Sequence, residues 1–300
     1  MKKQSKTLIF FGNERILTGI DLEESHIFSA LIKNGYNIKA VFLENKDTKS
    51  RKSKTNVVQD LAQSLDIPVY KSLSTDELIK KIKDLKPDIA VLVSYGKLLK
   101  SNVLDLIPHG IINIHPSLLP KYRGTTPIET ALLHGDTIIG ISLMKLTEGM
   151  DSGPIYLQKE ITISPKYTKI DIANKILNLA SNMLIQTLPK ILSNALKPYE
   201  QNEKNATFTQ KIDKSKTNLE PSQESAFDLN NKIRSMQYYP KAKIEINGIK
   251  IIINQSHVSK QKTGLSFECK DGNYIVVDKL ISPSGKEISG DDFIRGYLKN

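Results

Sequence analysis

From residue 6 to residue 115 the chain alternates short apolar, β-branched runs with longer segments of helical period, and few architectures accommodate that pattern. Residues 6–11 read as a buried strand and 21–33 as a helix with Leu22, Phe28, Leu31 and Ile32 inward, stopped at Asn34-Gly35. A second strand over 36–43, a helix over 57–65 and a short strand at Val69-Tyr70 follow. Ser74 is placed to cap a helix over 75–85, and Pro87-Asp88 introduces a strand over 89–93 that ends in the turn Ser94-Tyr95-Gly96. Strands separated by helices imply an α/β fold: a Rossmann-like open parallel sheet with crossover helices. The first strand is followed by a single Gly12, not by Gly-x-Gly-x-x-Gly, so the fold carries no dinucleotide signature.

The chemistry concentrates between residues 110 and 153. Ile111, Ile112 and Ile114 suit a buried strand, and Asn113 and His115, two apart, leave it from one face. Pro116 cannot donate to a ladder, so the strand should stop there and turn into Ser117-Leu118-Leu119-Pro120. A carboxamide and an imidazole would then stand at a strand's carboxyl end, where open α/β sheets place ligands. Asp151, in the turn Gly149-Met150-Asp151-Ser152-Gly153, offers a carboxylate that folding could bring to the ring. Such a trio suits acyl transfer: Asn113 and His115 as donors to an oxyanion, Asp151 orienting the ring, favouring its charged donor form and accepting an amine's proton. No Ser or Cys nucleophile is needed if the attacking amine belongs to a substrate. His109 and His134 read as structural or solvent-facing.

Composition narrows the setting. The chain has 300 residues, 39% hydrophobic and 25% charged, an ordinary globular composition that fits two domains or one large one. One cysteine, Cys269, excludes an internal disulfide framework and a Cys-based zinc site. The lysines at the start precede only a brief apolar run, which reads as the first strand and not as a signal peptide, so a cytoplasmic protein is expected. Forty-three basic against 32 acidic residues give +11, which favours a polyanionic partner. Lys46, Lys49, Arg51, Lys52 and Lys54 crowd one polar loop that is a candidate phosphate contact.

After Asp151 a strand over 155–163 and a core helix over 169–192 complete the first part. The polar stretch that follows reads as a linker. Residues 224–237 read as a helix with Phe227, Leu229, Ile233 and Met236 as candidates for its buried face. Short strands over 243–247, 249–254, 265–270 and 274–277 then suggest a small OB-like β-barrel. The expected division is 1–198 for the catalytic domain, 199–218 for the linker and 219–300 for the barrel.

The linked pattern Asn113-Ile114-His115-Pro116-Ser117-Leu118-Leu119-Pro120-Lys121-Tyr122-Arg123-Gly124, a Pro127-Ile128 helix start and the Asp151 turn together resemble the folate-dependent formyltransferases. Ala206-Thr207-Phe208 is similar to an Ala-Thr-aromatic pattern in the family's linker, and the helix-to-barrel ending resembles those members that act on tRNA. The resemblance implies 10-formyltetrahydrofolate as formyl donor, no metal, and a monomer acting on initiator methionyl-tRNA. It implies that Asn113, His115 and Asp151 are catalytic. It also implies that the turns holding Ser94, Tyr95, Gly96, Ser117, Leu118, Leu119 and Pro120, with a third turn over 140–145, hold the pterin. An amino-sugar nucleotide is the alternative acceptor, and a non-catalytic RNA-binding protein the alternative from another class. Glycinamide ribonucleotide is disfavoured by the extra barrel. Where family members commonly carry Gly-Thr-Pro after the first strand, this chain has Gly12-Asn13-Glu14.

Overall fold

The structure is a computed structural model that describes residues 6–16, 22–44 and 56–298. The chain divides into two compact units. One holds residues up to Gly124 with Gly140–Ile161 and Asn174–Phe208; the other holds Thr125–Ile139, Thr162–Ala173 and Thr209 onward.

The first part of the chain runs β1 (Thr7–Gly12), α1 (Ile27–Lys33), β2 (Asn37–Leu43), α2 (Val57–Ser64), β3 (Val69–Lys71), α3 (Thr75–Leu85), β4 (Ile89–Val93), α4 (Ser101–Leu104) and β5 (Ile111–His115). It continues through α5 (Pro127–Leu133), β6 (Ile138–Lys145), β7 (Ile155–Thr162) and the long α6 (Lys169–Leu192). The seven strands form one sheet in the order β3-β2-β1-β4-β5-β6-β7. The β1, β2, β3, β4 and β5 pairings are parallel, and β6 joins β5 antiparallel, so the expected parallel sheet carries a reversed strand where residues 140–145, expected as a turn, lie inside β6. Strand order reverses between β1 and β4, the kind of point where such sheets open a crevice at their carboxyl ends. Every residue of β4 and β5 is buried, as strands covered on both faces require.

Gly12 has a purely structural reason. Its φ is +102°, and a Cβ there would stand 1.9 Å from the carbonyl oxygen of Val93, so β1 and β4 can close at their ends only over a glycine.

Helix α1 begins at Ile27, not at residue 21. The cause is Glu14, a fully buried residue whose carboxylate accepts from the N–H groups of His26 (2.7 Å), Ile27 (3.1 Å) and Phe28 (2.6 Å) and from the Ser25 hydroxyl (2.8 Å). A side chain from the preceding loop thus fills the place of an N-cap and fixes where the helix starts. By contrast α3 starts where its sequence says, with a reciprocal capping box between Ser74 and Glu77.

The second unit holds α7 (Ala226–Ser235) and the strands β8 (Lys243–Ile246), β9 (Ile249–Ser259), β10 (Ser266–Glu268), β11 (Tyr274–Ile281) and β12 (Glu287–Ser289). They make a five-stranded sheet, β10-β11-β9-β8, with β12 on β11. Strand β9 pairs antiparallel with β8 through its first half and with β11 from Ile252 onward, and register shifts at Val277–Leu280 bend the ladder. Leu229, Ile233 and Met236 of α7 pack with Ile251, Ile253, Ile275, Leu280 and Phe293 into its core. Phe227, expected on the buried face, is 53% exposed. Ala226 takes that place one residue earlier, since a step of one turns a side chain about 100° away.

Residues 199–218 are not free strand. Tyr199 bridges to Ile155, Arg123 bridges to Phe208, and Asn218 bridges to Lys243, so the composition that reads as a linker forms a segment pinned along its length.

Candidate active site

Strand β5 delivers Asn113 and His115 to one face at the sheet's carboxyl end, and both side chains are buried. The turn after β6 delivers Asp151, whose backbone takes a left-handed conformation with φ +49°. Gly153 behind it cannot be replaced without moving backbone, since a Cβ would lie 1.9 Å from the carbonyl oxygen of Lys145. The turn is therefore pressed against the end of β6.

This brings the three expected catalytic residues together. Oδ2 of Asp151 lies 3.6 Å from Nδ1 of His115, and the Asn113 amide nitrogen donates to Oδ1 over 3.5 Å. Both contacts are long, so the carboxylate acts on these groups as a nearby charge more than as a tight hydrogen-bond partner. Its short bond is elsewhere, from the N–H of Gly124 at 2.8 Å. The other imidazole nitrogen, Nε2, is 3.0 Å from the carbonyl oxygen of Tyr122; because that partner only accepts, Nε2 carries a proton.

Two of the three turns expected to hold a pterin sit beside this trio in the sheet. Ser94, Tyr95 and Gly96 follow β4, and Ser117, Leu118, Leu119 and Pro120 follow β5; the two strands pair in parallel register, Leu92 opposite Asn113. Tyr95 and Leu119 are buried, Leu118 and Pro120 half-buried and Gly96 exposed. Burial, reinforced by the charge of Glu44, pushes the Tyr95 phenol up to about 12. Ser142 of β6 fixes the second turn: its hydroxyl donates to the Ser117 carbonyl (2.7 Å) and accepts from the Leu119 N–H (3.1 Å). Gln158 adds bonds to the Ser142 hydroxyl and to the Leu119 carbonyl, both at 2.8 Å. Gly140 allows Leu118 to lie flat on β6, since a Cβ there would meet Cδ2 of that leucine at 2.4 Å.

Residues 122–124 belong to the motif that carries the resemblance and Ala206-Thr207-Phe208 follows Tyr199, but nothing in the sequence assigns any of these residues, or Gln201, a role at the site. Tyr122 and Gly124 bracket the imidazole and carboxylate through backbone groups, which leave no side-chain signature. Gln201 is buried and ties the Asp151 turn down, and its only sequence signal was the neighbouring Ala206-Thr207-Phe208 pattern.

Lys46, Lys49, Arg51, Lys52 and Lys54 lie outside the described residues. Among the described residues no group of three His, Cys, Asp or Glu is placed to hold a metal ion, and no helix is long and apolar enough to cross a membrane.

Comparison with known proteins places the chain in a family. Residues 16–188 match the family described as formyl transferase, and residues 211–298 match its C-terminal domain. A methionyl-tRNA formyltransferase of Ehrlichia ruminantium (strain Gardel) is 37% identical over 80% of this chain and 82% of its own length. One from Thermodesulfovibrio yellowstonii is 30% identical over 99% of this chain and 97% of its own. Among solved structures, an N-formyltransferase from Helicobacter canadensis, in complex with folinic acid and dTDP-3-aminofucose, aligns with TM-score 0.69 and 19% identity. That alignment covers 91% of this chain and 98% of the other.

Proposed function

The chain belongs to the formyl transferase family, and from that premise we propose how it transfers a formyl group from 10-formyltetrahydrofolate to the α-amino group of methionyl-tRNA. The observation that carries the acceptor is the similarity to methionyl-tRNA formyltransferases along nearly the full length of both chains. The reaction forms a bond between the amine nitrogen and the formyl carbon and breaks the bond from that carbon to the folate nitrogen. One proton leaves the amine and one reaches the departing nitrogen. No electron changes hands.

Negative charge develops on the formyl oxygen as the amine attacks. The Asn113 amide is a neutral donor with no short bond of its own to surrender, and the Nε2 proton of His115 is a second, shared until then with the Tyr122 carbonyl. Asp151, held by Gly124, keeps the imidazole oriented and stands within reach of the amine's proton, directly or through a water. The folate fits the turns after β4 and β5: Ser94, Tyr95 and Gly96 offer backbone donors and acceptors, and Leu118 with Pro120 offers apolar surface to a flat ring.

We assign residues 1–198 to catalysis, 199–218 to the connection and 219–300 to tRNA binding, with Lys46, Lys49, Arg51, Lys52 and Lys54 as phosphate contacts. The protein is proposed to work as a cytoplasmic monomer on initiator methionyl-tRNA. The test is formylation of charged initiator tRNA by the purified protein with 10-formyltetrahydrofolate. Uncharged tRNA and an amino-sugar nucleotide serve as controls. Formyl-methionyl-tRNA is the expected product; transfer to the sugar alone would overturn the acceptor, and binding of tRNA without any transfer would overturn the enzyme.

A further inference from the structure

We propose that Gln201 is a positioning residue for formyl transfer, acting through the backbone of the Asp151 turn; this rests on the catalytic reading of Asn113, His115 and Asp151 given above. Gln201 lies in the stretch whose composition reads as a connector, yet it is 8% exposed and its amide is fully used. Nε2 donates to the carbonyl oxygens of Asp151 (2.9 Å) and Gly153 (2.7 Å). Oε1 accepts from Nε (3.1 Å) and Nη2 (2.8 Å) of Arg123. Two donors and two acceptor positions are all a carboxamide has.

The consequence is geometric. Arg123 sits between Tyr122, whose carbonyl faces the imidazole, and Gly124, whose N–H holds the Asp151 carboxylate. Gln201 therefore joins the two pieces of chain that meet at the His115–Asp151 pair: the 122–124 segment on its acceptor side and the 151–153 turn on its donor side. Neighbours on the same segment fasten the first piece. Glu203 takes both terminal nitrogens of Arg123 (2.9 and 2.6 Å), the Arg123 N–H donates to the Thr207 carbonyl (2.9 Å), and the Thr207 hydroxyl accepts from the Tyr122 N–H (2.8 Å). Among the described residues of that segment, Gln201 is the one that hydrogen-bonds the second piece. Asp151 needs that hold, because a non-glycine residue at φ +49° is strained and stays there only when its surroundings fix it.

Two substitutions separate this role from simple packing. Gln201→Glu keeps the size and the acceptor for Arg123 but presents no donor to Asp151 and Gly153. Gln201→Leu removes both halves. If Gln201 works by placing Asp151, both variants lose kcat by about 10- to 100-fold, the size expected for a misplacement of about 1 Å, while the KM values for folate and methionyl-tRNA change less than about twofold. The ring resonances of His115, assigned against a His115→Gln variant, shift in both. Wild-type kcat retained by Gln201→Glu would reduce the residue to an anchor for Arg123. Losses that follow thermal stability, with unmoved His115 resonances, would reduce it to packing. The resonance shift needs no substrate, so a wild type silent on methionyl-tRNA would overturn the acceptor while the positioning of Asp151 is still decided.

Discussion

Oδ2 of Asp151 stands 3.6 Å from Nδ1 of His115 while taking its short hydrogen bond, 2.8 Å, from the N–H of Gly124. The carboxylate is thus fixed by backbone and acts on the imidazole from a distance. This division of labour predicts the effect of Asp151→Asn. An amide can still accept from Gly124, so the turn keeps its shape, but it carries no charge and takes no proton from an amine. Formyl transfer should fall by about 10²–10⁴-fold, the range of general acid–base effects, with tRNA affinity and unfolding midpoint nearly unchanged. Single-turnover formylation and filter binding on the same preparation would check it. A fall in affinity equal to the fall in rate would place Asp151 in binding instead.

The Gly124 contact also shows what the sequence could and could not reveal. Asn113 and His115 were legible because strand periodicity puts alternate residues on one face, and β5 does so. The alternation of strands and helices was legible for the same local reason. Tyr122, Gly124 and Gln201 were not, since two of them act through backbone groups and the third acts across the fold from a polar stretch. The start of α1 was misplaced because its cap, Glu14, comes from the loop before it and not from the position preceding the helix. The sequence reads 140–145 as a turn, yet those residues lie inside β6, and its reversed direction is not legible either, because direction is set by the path of the chain and not by side-chain alternation.

Glu14 therefore carries a stability prediction. Its carboxylate serves three backbone N–H groups at the start of α1, and Glu14→Ala would leave those of Ile27 and Phe28 buried without that partner and that of His26 half-buried. The expected cost is about 2–3 kcal/mol, at the upper end for a lost cap and in the range for orphaned buried donors. Urea unfolding would show a lower midpoint with little change in slope. A cost under about 0.5 kcal/mol would mean that water replaces the carboxylate.

A second buried pair makes a sharper case in the other unit. Lys169 is fully buried, donates to the Tyr239 carbonyl at 2.9 Å and lies 3.9 Å from Glu129, itself buried. Burial pushes the Glu129 carboxyl up, with the lysine's charge opposing, and pushes the Lys169 amine down, with the carboxylate opposing. Lys169→Met should cost about 3–5 kcal/mol because Glu129 loses its countercharge, and Glu129→Gln in the same chain should restore most of it. Glu129 holds its proton more tightly folded than unfolded, so its contribution is complete below its unfolded value of 4.5 and is lost as pH rises through the folded value. Glu129→Gln, which stays neutral, should gain on the wild type over that rise. Parallel stability curves would contradict a buried acid at this position.

The turn after β4 buries a titratable group as well. Tyr95 is 4% exposed, and burial, with a smaller push from Glu44, raises its phenol from 10.0 to about 12. Because the folded value lies above the unfolded one, the stability tied to the neutral phenol is complete below pH 10 and drains as pH climbs toward 12. At about 1.4 kcal/mol per unit the loss approaches roughly 2–3 kcal/mol, and Tyr95→Phe, which cannot ionise, should be spared it. The check is the difference in unfolding free energy between the two proteins at about pH 9 and again near pH 11.5, since deprotonation of the many lysines affects both alike. The gap should move in favour of phenylalanine at the higher pH. An unchanged gap, with a phenolate signal near pH 10 in the difference spectrum of wild type minus Tyr95→Phe, would mean that water reaches Tyr95 and that the turn behind Ser94 opens in solution.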